Sequence, residues 1–175
     1  PSKLILFDVH SDLIRRAFGP SIIELSALPL FAEALSKQPL GVIVSPDAGF
    51  KARAEELGGF LNPHPEVAVI DKIRPRPNVA IAKRLQGDVH GKDILIVDDI
   101  IDTGGTLFQA VKLASHKGAR TIRLAATHGI FSNHARDRLF RLPIREILIT
   151  NTLPQIRYPK IRLLNVVPLL LDFLR

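Results

Sequence analysis

Short apolar runs alternate with amphipathic stretches along this chain of 175 residues. Runs rich in β-branched residues predict buried strands; they are Leu4–Val9, Gly41–Val44, Val67–Ile70, Ile94–Val97 and Thr121–Ala126. Helical patterns fall between them, at Asp12–Ala17, Leu30–Ser36, Lys51–Leu57 and after Thr106. This alternation predicts an α/β fold with a mostly parallel sheet flanked by helices.

Two other regions carry specific expectations. Residues 71–78 contain two prolines and three basic side chains, which predicts a loop, and Val79–Leu85 is expected to form an extended flap. Towards the end of the chain we expect four more elements: a short helix through Phe140 capped by Ser132, strands at Ile147–Thr150 and Leu163–Val166, and a helix at Leu169–Leu174.

Composition narrows the class of ligand. The formal net charge of +7 favours an anionic partner, but the chain has one tyrosine and no tryptophan, which argues against a platform for stacking bases. No apolar run approaches the roughly 20 residues of a membrane span, and the absence of cysteine excludes disulfides and thiolate metal sites. We therefore expect a cytoplasmic protein that binds phosphorylated metabolites, with no nucleic acid or membrane partner.

The stretch from Ile94 to Thr106 carries the clearest chemistry. A buried strand ends in two carboxylates, Asp98 and Asp99, and a loop and a helical pattern follow. The loop residues are Asp102, Thr103, Gly104, Gly105 and Thr106. Glycines allow backbone N–H groups to approach an anion, and a helix N-terminus adds partial positive charge. The carboxylates suit sugar hydroxyls or Mg²⁺. Together they predict a sugar phosphate held at both ends.

Four polar clusters follow predicted strands: Asp8/His10, Asp47-Ala48-Gly49, Asp71-Lys72 and Asp98-Asp99. Ligands of open parallel sheets bind beyond the carboxyl ends of the strands. We therefore expect all four clusters to meet in one active site.

These stretches resemble known motifs. Ile94–Thr106 is similar to the phosphoribosyl-binding motif that type I phosphoribosyltransferases share with ribose-phosphate pyrophosphokinases (PRPP synthetases). Asp71–Asn78 resembles the catalytic flexible loop of the synthetases, with Ile73 in place of an arginine, and this favours the second family. Ser45–Gly49 resembles their pyrophosphate-binding turn, although Phe50 stands where a second glycine is usual, and Phe7–Ser11 resembles their Val-Asp-Leu-His segment.

The resemblance implies a type I phosphoribosyltransferase-like fold and a role for each matching residue. Ribose 5-phosphate would be bound by Asp98, Asp99, Asp102, Thr103, Gly104, Gly105 and Thr106, and pyrophosphate by Asp47, Ala48 and Gly49. Lys72 and Arg74 would be catalytic, and His10, Asp47, Asp98 and Asp99 would be the Mg²⁺ ligands. The implied reaction converts ATP and ribose 5-phosphate to PRPP and AMP. Thr127-His128-Gly129 also matches, and we expect a structural role for His128.

The likeness covers the carboxyl-terminal half or more of such a synthetase. Residues 1–27 would be the tail of a first phosphoribosyltransferase-like domain, and 28–175 a second such domain with the ribose 5-phosphate site. The synthetases' earlier ATP-binding elements are absent from this sequence, so we expect the chain alone to lack much of the ATP site. A stand-alone phosphoribosyltransferase and a non-catalytic synthetase-like subunit remain as alternatives. A homo-oligomer is expected from the family.

Overall fold

The computed structural model describes residues 3–76 and 79–174, and the side chains of residues 72–76 and 79–83 lie outside what it describes. The strands are β1 (Leu4–Phe7), β2 (Ile22–Leu25), β3 (Val42–Ser45), β4 (Glu66–Arg76), β5 (Val79–Gln86), β6 (Asp93–Ile101), β7 (Thr121–Gly129), β8 (Glu146–Thr150) and β9 (Ile161–Leu164). The helices are α1 (Asp12–Phe18), α2 (Leu28–Leu35), α3 (Lys51–Gly59), α4 (Gly105–His116), α5 (Ala135–Phe140) and α6 (Val167–Leu174).

Seven strands form the main sheet in the order β5-β4-β3-β6-β7-β8-β9. Every neighbouring pair is parallel except β4 and β5, which are antiparallel. Strands β1 and β2 pair in parallel as a separate two-stranded sheet. The predicted α/β fold with a mostly parallel sheet is confirmed.

Helices cover both faces of the main sheet, and the side chains of each strand alternate between the two faces. Val42 and Val44 of β3 pack in one core cluster with residues of α4 and α5, whereas Ile43 packs in a second cluster with residues of α2 and α3. Successive strand residues point to opposite faces, so a strand buried on both faces needs an unbroken apolar run. All four residues of β3 and the first five of β6 are buried.

The prediction of a loop at residues 71–78 is wrong for 71–76, because β4 continues through Arg76. Only Glu66–Val69 of β4 pair with β3, and the strand then continues by pairing with the antiparallel β5. Cross-strand pairing overrides the local loop signal of the prolines and charges. Pro77 and Asn78 lie outside the described residues.

The second strand, β2, is not predicted by the sequence pattern. It has four residues, follows Gly19-Pro20-Ser21, and pairs with β1, which ends at Phe7 instead of Val9. The predicted late strand Leu163–Val166 is also shifted, since β9 spans Ile161–Leu164 and α6 begins at Val167. No helix in the described ranges, 3–76 and 79–174, has the length and apolarity needed to cross a membrane.

The predicted capping role of Ser132 is wrong. Helix α5 begins at Ala135 and has His134 at its N-cap, with no capping side chain. The hydroxyl of Ser132 instead donates to Oδ1 of Asp102 at 2.5 Å. The Ser132 hydroxyl therefore bonds a residue 30 positions away in sequence and does not cap the neighbouring helix.

Candidate functional site

A cavity of about 340 Å³ opens where β6 ends and α4 begins. Its lining comprises His10, Asp47, Asp98, Asp99, Ile100, Asp102, Thr103, Gly104, Gly105, Thr106, Leu107 and Ile130. All seven residues predicted to bind ribose 5-phosphate line this one cavity, and so do all four predicted metal ligands. Larger cavities, of about 560 and 400 Å³, lie elsewhere on the protein and share none of these residues.

The amino end of α4 forms one side of the cavity. Gly104 occupies the N-cap position with φ +69°, a left-handed conformation that glycine adopts without steric cost, and no side chain caps the helix. The first N–H groups of a helix have no partner within it. They therefore remain available to an anion, whose charge the helix dipole also favours.

The two carboxylates lie on a stretch of β6 that extends past its neighbour. Strand β3 pairs with β6 only as far as Ile96, whereas β7 continues to pair with it through Ile101. Asp98 and Asp99 are therefore strand residues and do not simply follow the strand, because the sequence-based boundary at Val97 is too early. Oδ1 of Asp98 accepts a hydrogen bond from the backbone N–H of Asp99 at 3.0 Å. Pairing with β7 thus holds the part of β6 that carries Asp98 and Asp99.

His10 reaches this acid pair from the loop after β1. Its Nδ1 lies 2.7 Å from Oδ2 of Asp99, and its side chain is 67% exposed. The hydrogen bond with Asp99, together with the charge of that carboxylate, raises the pKa of His10 above its ordinary value. Residues 89 positions apart in sequence therefore form one polar group.

Four residues that line the cavity, His10, Asp47, Asp98 and Asp99, are the predicted metal ligands. Among the described residues, no group of three or more His, Asp or Glu side chains is arranged to hold a metal ion. His10 is engaged with Asp99, and Oδ1 of Asp47 accepts the N–H of Phe50 at 3.1 Å. Mg²⁺, however, is commonly held by one or two carboxylates together with substrate phosphates and water. The acid pair fits that mode, and the four-residue set remains a prediction.

The turn at Asp47-Ala48-Gly49 is formed despite the unusual Phe50. Asp47 caps a short 3₁₀ turn at residues 48–50 by accepting the Phe50 N–H, and the Ser45 hydroxyl donates to the Asp47 carbonyl at 2.6 Å. Asp47 lines the main cavity, and Gly49 lines a smaller one of about 220 Å³. Asp99 lines both cavities, so the turn lies beside the acid pair.

Asp8 has a role that the sequence does not reveal. Buried just after β1, it accepts hydrogen bonds from the hydroxyl of Thr127 at 2.6 Å and the N–H of Ala27 at 2.9 Å, and it pairs with Arg53. The Nε2 of His128 lies 2.9 Å from the Phe7 carbonyl oxygen, a contact compatible with the structural role expected for it. The contacts of Thr127 with Asp8 and of His128 with Phe7 attach the strand that leads to His10 to β7 of the main sheet.

The predicted cluster Asp71-Lys72 does not join the others among the described atoms. The carboxylate of Asp71 accepts from Gln86 of β5 at 2.8 Å and is not among the residues that line the main cavity. The side chains of Lys72 and Arg74 lie outside the described residues. Their catalytic roles therefore remain predictions.

Comparison with known proteins connects this site to a family. The phosphoribosyl synthetase-associated domain matches residues 41–175, which include β3, the acid pair and residues 102–106 at the start of α4 (the α4 loop). This chain belongs to that family. Within it, the chain is 38% identical over 179 residues to the ribose-phosphate pyrophosphokinase of Aquifex aeolicus, covering 99% of the chain and 57% of that relative. It is 36% identical over 173 residues to that of Gloeobacter violaceus, covering 96% and 52%.

One solved structure supports this membership, and a second shares the fold alone. Phosphoribosylpyrophosphate synthetase from Mycobacterium smegmatis superimposes with a TM-score of 0.87 and 34% identity, covering 99% of this chain and 58% of that one. APRTase from Giardia lamblia superimposes with a TM-score of 0.58 at 17% identity, covering 69% of this chain and 75% of that one, a likeness of fold alone. The family member described here thus has a phosphoribosyltransferase-like fold and spans about half the length of the curated relatives it matches.

Proposed function

We propose that this chain provides the ribose 5-phosphate site of a ribose-phosphate diphosphokinase, which converts ATP and ribose 5-phosphate to PRPP and AMP. One observation carries the proposal: the uncapped amino end of α4 and the acid pair of β6 line the same cavity. An anion site and a pair of hydroxyl acceptors in one cavity suit the two ends of a pentose phosphate. Membership of the phosphoribosyl synthetase-associated domain family supports the same interpretation.

In this proposal the chain works by positioning its substrates. The N–H groups of residues 102–106 and the α4 dipole hold the 5-phosphate, while Asp98 and Asp99 accept hydrogen bonds from ribose hydroxyls. The anomeric oxygen then forms a bond to the β-phosphorus of ATP as the bond from that phosphorus to the α-phosphate oxygen breaks. AMP leaves, and the anomeric proton passes to solvent.

Charge stabilisation comes from groups around the transferring diphosphoryl unit. Lys72 and Arg74 are proposed to contact it, and the turn of Asp47, Ala48 and Gly49 to bind its oxygens. Asp98 and Asp99 fit Mg²⁺ best, with Asp47 and His10 as further candidate ligands. The ion, when bound, would neutralise phosphate charge. The contact between Nδ1 of His10 and Oδ2 of Asp99 is proposed to keep that carboxylate oriented towards the sugar.

Several wider features belong to the same proposal. Residues 1–27 would be the tail of a first domain, which is supported by the separate β1–β2 sheet and by α1, a helix that buries none of its residues. We further propose a cytoplasmic homo-oligomer that acts on phosphorylated metabolites rather than on nucleic acids or membranes. The net charge of +7 is compatible with anionic ligands.

The first test is to titrate ribose 5-phosphate and ATP separately into the chain by calorimetry. We expect ribose 5-phosphate to bind more tightly than ATP, because the described site provides for the sugar phosphate. Asp98→Asn should weaken binding of ribose 5-phosphate by about ten-fold, as expected for loss of a hydrogen bond to a charged group. The matched control is Asp88→Asn, at an exposed aspartate paired with Lys92.

A second assay addresses the reaction itself. AMP release from ATP plus ribose 5-phosphate would identify a diphosphokinase, and Lys72→Ala should reduce any such release by about 100-fold or more. Consumption of PRPP with a free base, without AMP release from ATP, would instead indicate a phosphoribosyltransferase. Undetectable binding of ribose 5-phosphate to the chain would overturn the proposal, whether or not ATP binds.

A further inference from the structure

The segment between β7 and α5 has an unusual backbone. Among the described residues, four that are not glycine have positive φ, and three of them lie here: Phe131 at 55°, Asn133 at 49° and His134 at 58°. Such conformations cost free energy in residues with a side chain, and they persist only where the surroundings hold them. Strain of this kind concentrates at functional sites. The segment therefore requires an explanation beyond chain reversal.

Hydrogen bonds attach this segment to the start of the α4 loop, residues 102–106. The N–H groups of Ile130 and Phe131 both donate to the carbonyl oxygen of Ile101 at 2.9 Å, and the Ser132 hydroxyl donates to Oδ1 of Asp102 at 2.5 Å. On the other side, the buried Phe131 ring lies 4.9 Å from the Arg136 guanidinium carbon. The backbone with positive φ thus lies between α5 on one side and Ile101 and Asp102 on the other.

Asp102 brings a carboxylate into the cavity that is proposed to bind a phosphate. It lies two positions before the Gly104 N-cap of α4, and a carboxylate is favoured near the partial positive charge of a helix N-terminus. A carboxylate placed against the first N–H groups of α4 would occupy the position of a phosphate and repel it. The structure instead shows these N–H groups without a capping side chain, while Asp102 is bound by Ser132.

We infer that Ser132 is a positioning residue that holds the Asp102 carboxylate aside, so that the amino end of α4 stays open to the 5-phosphate. The inference rests on the proposed function for the identity of the ligand. The arrangement of Ser132, Asp102 and α4 is independent of that identity. We attribute the positive φ angles of Phe131, Asn133 and His134 to this role, because they flank the residue whose hydroxyl reaches Asp102.

The test is a double-mutant cycle on ribose 5-phosphate affinity, measured by calorimetry. Ser132→Ala should weaken binding by about ten-fold, the scale of a lost hydrogen bond to a charged group. Ser132→Thr, which keeps the hydroxyl, should retain most of the affinity. In the Asp102→Asn background, where the competing charge is gone, adding Ser132→Ala should change affinity by less than about two-fold. Ser36→Ala is the matched control, since that hydroxyl donates to the Glu33 carbonyl at the end of α2.

Equal weakening by Ser132→Ala in both backgrounds would mean a merely structural role and would overturn the inference, as would no weakening in either. If the unmodified chain binds no ribose 5-phosphate, the proposed function fails, and amide NMR of the ligand-free protein decides the inference alone. Ser132→Ala should then shift the amide signals of residues 104–106 when Asp102 is present and leave them in place in the Asp102→Asn background. Unmoved signals in both backgrounds would contradict the inference.

Discussion

At the residue scale, Asp8 shows how one buried carboxylate can connect distant parts of the chain. Its partners are the N–H before α2, the Thr127 hydroxyl in β7 and the Arg53 guanidinium in α3. Asp8 itself has φ 39°, a conformation that is uncommon outside glycine and that turns the chain after β1 towards His10. The side chain thus stabilises the fold and places the segment that contacts Asp99.

Asp8→Asn should lower the free energy of unfolding by about 2 kcal/mol. If the amide oxygen stays as the acceptor for Thr127 and Ala27, which both donate to Oδ2, the NH₂ group replaces the oxygen that faces Arg53. Chemical denaturation of the two proteins measures the difference. Asp12→Asn is the control, because Asp12 pairs with Arg15 while 79% exposed, and we expect a change below about 0.5 kcal/mol there. Equal losses in the two variants would contradict this account of Asp8.

The sequence predicts the identities of the site residues better than their partners. Asp98, Asp99 and residues 102–106 are recognisable because the strand, acid pair, glycines and helix are contiguous. The roles of Asp8 and Ser132 depend on contacts across 119 and 30 residues. No local pattern encodes such contacts, so the sequence around Ser132 predicts a helix cap instead.

At the element scale, β6 has polar anchors at both ends. At its carboxyl end are the site carboxylates, and at its amino end is the buried Asp93, whose carboxylate accepts from Nη2 of Arg120 at 2.5 Å and from the Thr121 hydroxyl at 2.6 Å. The hydrogen bond from Arg120 lowers the pKa of Asp93 from 3.8 to about 2. This pairing fixes β6 against the start of β7.

The sign of this pKa shift predicts how acid affects stability. Because the folded protein depresses the pKa of Asp93, its contribution is complete above the unfolded value near 3.8 and is lost as the pH falls through about 2. Asp93→Asn should therefore destabilise the protein above about pH 4 and reduce the loss of stability between about pH 4 and 2. Denaturant melts across that range provide the measurement, with the exposed Asp137→Asn as control. An unchanged pH slope in Asp93→Asn would contradict the argument.

Elements with a clear hydrophobic periodicity are predicted well from the sequence. Elements that depend on pairing with another strand are not. The face of α4 formed by Leu107, Ala110, Val111 and Ala114 is buried as its spacing predicts. Residues 71–76 carry the composition of a loop yet form a strand, because β5 supplies an antiparallel partner. Composition describes what a segment prefers alone, and a sheet adds hydrogen bonds that outweigh that preference.

At the scale of the whole molecule, the site lies where the main sheet meets the segment that carries His10. Strand order places β6 in the middle of the sheet, with β3 ending early on one side and β7 continuing on the other. That difference in length creates the edge at which the cavity opens. The sequence predicts a site beyond the strand ends, but the unequal lengths that shape it cannot be inferred from hydrophobicity.

The central claim is that the α4 loop and the acid pair hold opposite ends of one pentose phosphate. A crystal structure of the chain soaked with ribose 5-phosphate tests it most directly. We predict the 5-phosphate against the N–H groups at the start of α4 and ribose hydroxyls within hydrogen-bond distance of Asp98 or Asp99. A cavity closed by its own side chains, or a sugar phosphate bound elsewhere on the protein, would contradict the account.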